Sequence, residues 1–310
     1  MKVVTICPKF FPGVLSVFRN LQKVITSVHY FPEEILNEFN VDCDLIIFGA
    51  WHNDYARILP LIKCKKALLW TSSALQMNLT PNNVEIEQYK HILQLLDDNI
   101  INFLFIGDKK LYATQKNYRI INFPYPVYFN ENEQKQGHFS SKTINFGLFT
   151  VSHCRKNIFN HYLAFDDAIR KNKDIKLFTN VLKIENKNFE CLEWMGEKEY
   201  LETIEKIHFG VNVFFSESFA YSFYELMHRG IPTICSLTIA KNFNLPKFLY
   251  DYLVINDCDD SKEISEKIIK LSILPIYDKI TLSNECKEYM REFSLQNNKK
   301  LKEMFETLFI

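Results

Sequence analysis

Two carboxylates stand out in residues 216–236, which read SESFAYSFYELMHRGIPTICS. Glu217 and Glu225 are separated by seven residues, and Gly-Ile-Pro closes the run before a short apolar stretch. The preceding GVNVFF (210–215) has the pattern of a buried strand, so Ser216-Glu217-Ser218 is the turn leaving its carboxyl end. Phe223, Leu226 and Met227 supply an apolar helical stripe, which places Glu225 two turns into a helix. Gly230 suits the left-handed residue after that helix, and Pro232 prevents its continuation. In open α/β sheets, ligands bind at the carboxyl ends of strands. Amides opening a helix carry partial positive charge and favour an anion. Strand, Ser-rich turn and helix in that order predict a phosphate seat. Glu217 would accept from hydroxyls beside the phosphate, and Glu225 from a second set such as those of a ribose. The competing reading is two glutamates on a solvated helix surface; the setting of turn, helix, stop and strand favours the site.

The elements that must hold such a turn are legible along most of the chain. Apolar strand patterns occur at VVTIC (3–7), DLIIFGA (44–50), KALLW (66–70), NFLFIG (102–107), INFGLF (144–149), IKLFTN (175–180), GVNVFF, PTICS (232–236) and YLVIN (252–256). Amphipathic helical stretches lie between them, among them EQYKHILQLLDD and NIFNHYLAFDDAIRK. Such alternation predicts parallel sheets covered by helices, an α/β class. The segment PYPVYFNENEQKQGHFSSK loses apolar periodicity. It predicts a first α/β domain over 1–125, a linker over 126–142, a second α/β domain over 143–285 and a helical tail over 286–310.

Composition narrows the function classes. The 310 residues carry 37 basic and 37 acidic side chains, so no strong nucleic-acid signature is present. The eight cysteines are scattered without a C-x-x-C pair, which reads as reduced thiols in a cytoplasmic protein. No apolar run reaches the length of a membrane span, although peripheral membrane contact stays open. No zinc-type spacing, phosphate-binding P-loop, dinucleotide-binding glycine turn or nucleophile elbow appears, and no D-x-D triad suggests a divalent metal gripping a diphosphate, so no metal is expected.

The 216–236 segment resembles the E-x7-E region of retaining GT-B glycosyltransferases, the group-1, family-four enzymes related to glycogen and sucrose synthases. The match runs through Glu217, Ser218, Phe219, Glu225, Met227, Gly230, Pro232, Thr233 and Ile234, and departs at Ala220, where the family prefers glycine. INFGLFTVSHCRKNIFNHYLAFDDAI resembles the family's first C-terminal-domain strand, turn and helix. The resemblance implies two Rossmann-like domains facing a central cleft and transfer of a sugar from a nucleotide-diphosphate sugar to a hydroxyl. No other cofactor is implied, and the acceptor (glycan, lipid, small molecule or modified nucleic-acid base) is left open. It implies Arg155 or Lys156 on the donor diphosphate, with Glu217 and the Ser218–Phe219 backbone on the sugar and nearest phosphate, and Glu225 on ribose. By the same match Gly147 lies at the donor side. Gly13 in KFFPGV would lie near the transferred sugar, and His52 in GAWHND would help hold it. An epimerase or phosphorylase on the same fold, or a binding module without chemistry, remains an alternative.

Overall fold

The computed structural model describes residues 1–37, 42–128, 139 and 141–308. The chain divides into two compact units, one of residues 1–128 with 294–310 and one of residues 129–293. Of the linker expected over 126–142, residues 129–138 and 140 lie outside the described residues.

The first unit contains β1 (Val3–Ile6), α1 (Pro12–Val24), β2 (Ser27–Tyr30), α2 (Pro32–Asn37), β3 (Leu45–Gly49), α3 (Tyr55–Ile58), β4 (Lys65–Trp70), α4 (Ala74–Leu79), α5 (Val84–Asp97), β5 (Phe103–Ile106), α6 (Lys109–Ala113) and β6 (Ile120–Asn122). Its described strands pair in the order β2-β1-β3-β4-β5-β6, every pairing parallel. β1 and β3 are buried at every position. That is why their sequences are near-continuous apolar runs, broken only by Thr5 of β1: helices cover both faces of a parallel sheet. Ser73 and Asp108 cap α4 and α6, each side chain accepting from the amide three residues on.

The second unit contains β7 (Ile144–Leu148), α7 (Ile158–Lys171), β8 (Ile175–Thr179), β9 (Phe189–Cys191), α8 (Glu197–Ile204), β10 (Phe209–Asn212), α9 (Tyr221–His228), β11 (Thr233–Ser236), α10 (Leu237–Phe243), α11 (Lys247–Leu253), β12 (Val254–Ile255) and α12 (Ser261–Ser272). Its order is β12-β11-β10-β7-β8-β9, again all parallel. The buried residues of α7 are His161, Ala164, Phe165, Ala168 and Ile169, the spacing of a single helix face. That face meets the sheet, where Phe165 packs edge-on against Phe146 of β7.

Every strand expected from sequence forms, and β2, β6 and β9 are additional. The terminal helix, α13, spans Ile276–Thr307 and begins directly after Pro275, well before residue 286. Residues 276–293 belong to the second unit and the remainder to the first. In the first unit, Asn298 of α13 closes a two-way bond with Val127: its amide nitrogen donates to the Val127 carbonyl (2.6 Å) and its oxygen accepts from the Val127 amide (3.2 Å).

Candidate functional site

The turn after β10 is fixed from both sides. Asn242 of α10 donates to the carbonyls of Glu217 and Ser218, both at 3.1 Å. Asn212, at the end of β10, presents its amide oxygen to the start of α9 and accepts from the Phe223 amide at 2.9 Å. One of the first amides of α9 is therefore bonded to protein, which narrows the anion seat expected there. The helix begins at Tyr221, so Glu225 lies just over one turn in rather than two, because the turn itself consumes residues 216–220. Its end is a Schellman motif. Ile231 donates to the Leu226 carbonyl and Gly230 to that of Met227, both at 3.0 Å, with Gly230 at φ +78°. Leu226 and Ile231 pack in one apolar cluster, the contact that accompanies this motif.

Opposite the turn, the chain leaving β7 forms a short 3-10 turn over Cys154–Lys156 and enters α7. Here three expected residues converge. Arg155 Nη1 donates to Glu217 Oε2 at 2.9 Å, and Lys156 Nζ donates to the same oxygen. All three side chains are about nine-tenths removed from solvent. Arg155 also donates to the Ser216 carbonyl at 3.3 Å, and its own carbonyl accepts from the Phe215 amide at 3.0 Å. Lys156 Nζ sits 4.1 Å from the centre of the Phe214 ring. Burial pushes the Lys156 amine below its usual range, and the Glu217 charge opposes that shift.

A buried polar brace holds the pair of cations in place. Asn157 adopts a left-handed backbone (φ +57°) and donates to the carbonyls of Val213 (3.2 Å) and Cys258 (2.6 Å). Its own carbonyl is 2.7 Å from His161 Nδ1, while His161 Nε2 accepts from the Val213 amide at 3.2 Å. An accepting Nε2 requires Nδ1 to carry the proton, so this imidazole is neutral. Burial lowers its pKa to about 4. The sequence signal for Asn157 is an Asn directly after a basic pair, and nothing local in the sequence marks His161 or Asn242.

The remaining expected residues separate into two groups. Glu225 Oε2 accepts from the Tyr200 hydroxyl of α8 at 3.4 Å. Ser218 and Phe219 are half-buried, and the Phe219 ring packs on Phe243 at 4.9 Å. Gly147 lies inside β7, paired with Gly210 of β10; a Cβ there would come 2.6 Å from the Phe149 ring. Close packing accounts for that glycine. In the first unit, Gly13 is the second residue of α1, and a Cβ added to it would meet nothing within 4 Å. His52 follows β3, with Nδ1 3.4 Å from Asp54 Oδ2 and its ring 5.4 Å from Phe10. Both sit beyond the carboxyl ends of the neighbouring strands β1 and β3.

No protein-family model matches the chain, and no curated protein sequence matches it. Solved structures do. The trehalose-6-phosphate structure from E. coli, bound with UDP-2-fluoro glucose, superposes with a TM-score of 0.69 over 99% of each chain at 9% identity. Sucrose-phosphate synthase from Thermosynechococcus elongatus gives 0.70 over 100% of this chain and 99% of that one, at 10% identity. TarM from S. aureus, in complex with fondaparinux, alpha-GlcNAc-glycerol and UDP, gives 0.63 at 13% identity. That match covers 86% of this chain and 55% of TarM. The fold is GT-B.

In this GT-B chain the Arg155–Lys156–Glu217 cluster lies at the carboxyl ends of β7 and β10, adjacent strands of the second sheet. A recess of about 820 Å³ opens on the α7 side of the same loops, between Cys154, Phe159, Leu182, Lys183, Phe215 and Asp259. Glu217 and Glu225 do not line it, so the recess and the cluster are distinct features. Among the described residues, no three His, Cys, Asp or Glu side chains converge so as to hold a metal ion, and no helix is long and apolar enough to cross a membrane.

Proposed function

We propose that this chain is a retaining glycosyltransferase that takes a nucleotide-diphosphate sugar and passes its sugar to a hydroxyl acceptor without a metal. The observation carrying the reading is the convergence of two buried cations, Arg155 and Lys156, on one carboxylate at the carboxyl ends of β7 and β10. Buried cations need a counter-charge. Glu217 supplies it here, and a diphosphate supplies it more fully when the donor arrives. The likeness to structures bound with UDP-2-fluoro glucose or UDP supports a nucleotide sugar as that anion.

The residues then divide the work. Arg155 and Lys156 neutralise the diphosphate and the charge that grows on it as the glycosidic bond breaks. Both cations engage Glu217 through Oε2, so Oε1 is the oxygen offered to a sugar hydroxyl. Glu225, oriented by Tyr200, takes the ribose hydroxyls. In front-side substitution the departing phosphate oxygen accepts the proton of the incoming hydroxyl, so no separate strong base is needed. Catalysis rests on positioning and on charge neutralisation.

The test is a panel of nucleotide sugars screened for thermal stabilisation of the protein, followed by mass spectrometry of products formed with candidate hydroxyl acceptors. Stabilisation by one donor and appearance of a glycosylated product are expected. No stabilisation by any donor overturns the reading. Interconversion of the nucleotide sugar without acceptor identifies an epimerase, turnover dependent on inorganic phosphate identifies a phosphorylase, and binding without turnover identifies a module without chemistry.

A further inference from the structure

The eight cysteines are not all isolated, as their spacing in sequence suggests. Cys43 and Cys64, 21 residues apart, bring their sulfurs to 3.0 Å in the first unit. Both lie just ahead of strands: Cys43 is two residues before Leu45 of β3, and Cys64 one residue before Lys65 of β4. Those strands are parallel neighbours with Leu45 opposite Lys65. The two cysteines are thus offset by one residue on adjacent strand ends. Strand spacing and rise put their Cα atoms roughly 6 Å apart, inside the separation a disulfide spans. Both side chains are half-buried against the core of the unit.

The geometry points to Cys43 and Cys64 as a dithiol modification site that closes to a disulfide. A bonded S–S distance is about 2.05 Å, so closure requires the sulfurs to approach by about 1 Å. The co-reactant is a small-molecule disulfide such as oxidised glutathione. One protein thiolate attacks it and expels a glutathione thiolate, forming a mixed disulfide. The second protein thiolate then attacks the protein sulfur of that mixed disulfide and expels the other glutathione. The protein loses two protons and two electrons, and the glutathione disulfide leaves as two thiols.

The surroundings set the rate and the consequence. Burial pushes the Cys43 thiol up to about 12, with the hydrogen bond to Cys64 and the Asp42 charge adding to the shift. The thiolate is the attacking species, so closure is slow at neutral pH and accelerates as pH rises. The bond would tie the starts of two central strands across a 21-residue separation, constraining the unfolded chain. It lies at the amino ends of β3 and β4, whereas the glycosyl-transfer reading uses carboxyl ends of strands.

The experiment treats the intact protein with oxidised glutathione at pH 7 and pH 9, then alkylates, digests without reduction and maps cross-linked peptides by mass. A cross-linked pair containing Cys43 and Cys64, two hydrogens lighter than the reduced pair, is expected, forming faster at pH 9. The oxidised protein should melt higher by roughly 5–10 °C, and dithiothreitol should reverse the shift. In Cys43→Ser and Cys64→Ser, the cross-link should be absent and oxidant should not raise the melting temperature. Persistence of both as free thiols, stable glutathione adducts on each, or cross-links only to other cysteines would overturn the assignment.

Discussion

The Val213 amide donates to His161 Nε2 at 3.2 Å, fastening the chain leaving β10 to a helix face that solvent does not reach. That bond exists only while the imidazole is neutral. In the unfolded chain the group titrates near 6.5, while in the fold its pKa is about 4. Between those values the unfolded state binds a proton that the native state refuses, so stability falls as pH falls. From pH 7 to pH 5 the loss from this residue is about 2 kcal/mol. Urea unfolding at the two pH values should show His161→Gln less stable at pH 7 but with a flatter pH dependence. Equal slopes for both proteins would mean that His161 does not carry the effect.

Removing the counter-charge should be worse than removing one cation. In Glu217→Gln two buried cations lose their carboxylate, and breaking a buried ion pair costs about 3–5 kcal/mol. In Lys156→Met the Arg155–Glu217 bond and the Phe214 contact surface remain, so the cost should be smaller. The double variant should recover part of the Glu217→Gln loss, because fewer buried charges then stand unpaired. Denaturant midpoints of the four proteins check this; strict additivity would show that Lys156 and Glu217 do not interact.

If Arg155 and Lys156 stabilise charge that grows during bond breaking, their loss must appear in turnover. Arg155→Ala and Lys156→Ala should each lower kcat by roughly 100-fold with a smaller change in acceptor KM. Steady-state kinetics on the transferred sugar decide it. A rise in acceptor KM at unchanged kcat would remove both residues from the donor site.

Glu225 tests nucleotide binding separately from chemistry. It is half-exposed on α9 and held by Tyr200, so Glu225→Ala should leave the melting curve nearly unchanged. Loss of hydrogen bonds to a charged acceptor corresponds to about 1.5–3 kcal/mol, or roughly 10–100-fold in nucleotide Kd. Calorimetric titration with UDP, GDP and ADP provides the measurement. Unchanged affinity for a nucleotide that binds the parent protein would move the ribose site elsewhere.

What the sequence showed and what it hid follow from burial. The central strands announced themselves because both faces are covered and no polar alternation is required, as in LIIFG of β3. β2, β6 and β9 carry no such continuous pattern; all three are edge strands with partly exposed side chains, and β6 and β9 have only three residues each. The pairing of Glu217 with Arg155 and Lys156 joins turns some sixty residues apart, and only motif resemblance, not local pattern, brought those residues into one reading. His161 looked like any polar position on α7, because a histidine facing the sheet differs from a solvated one only through its partners.

Gly147 offers the clearest separation of packing from ligand contact. The sequence places it where a donor is expected, but the structure surrounds it with Phe149 and Ile207. A methyl group 2.6 Å from the Phe149 ring and 3.2 Å from Ile207 forces the core apart. Overpacking of that kind costs about 1–3 kcal/mol, so Gly147→Ala should lower the denaturation midpoint. If packing is its whole role, nucleotide affinity measured well below the melting temperature should match the parent protein. Reduced affinity at unchanged stability would restore Gly147 to the donor site and require Phe149 to move when the donor binds.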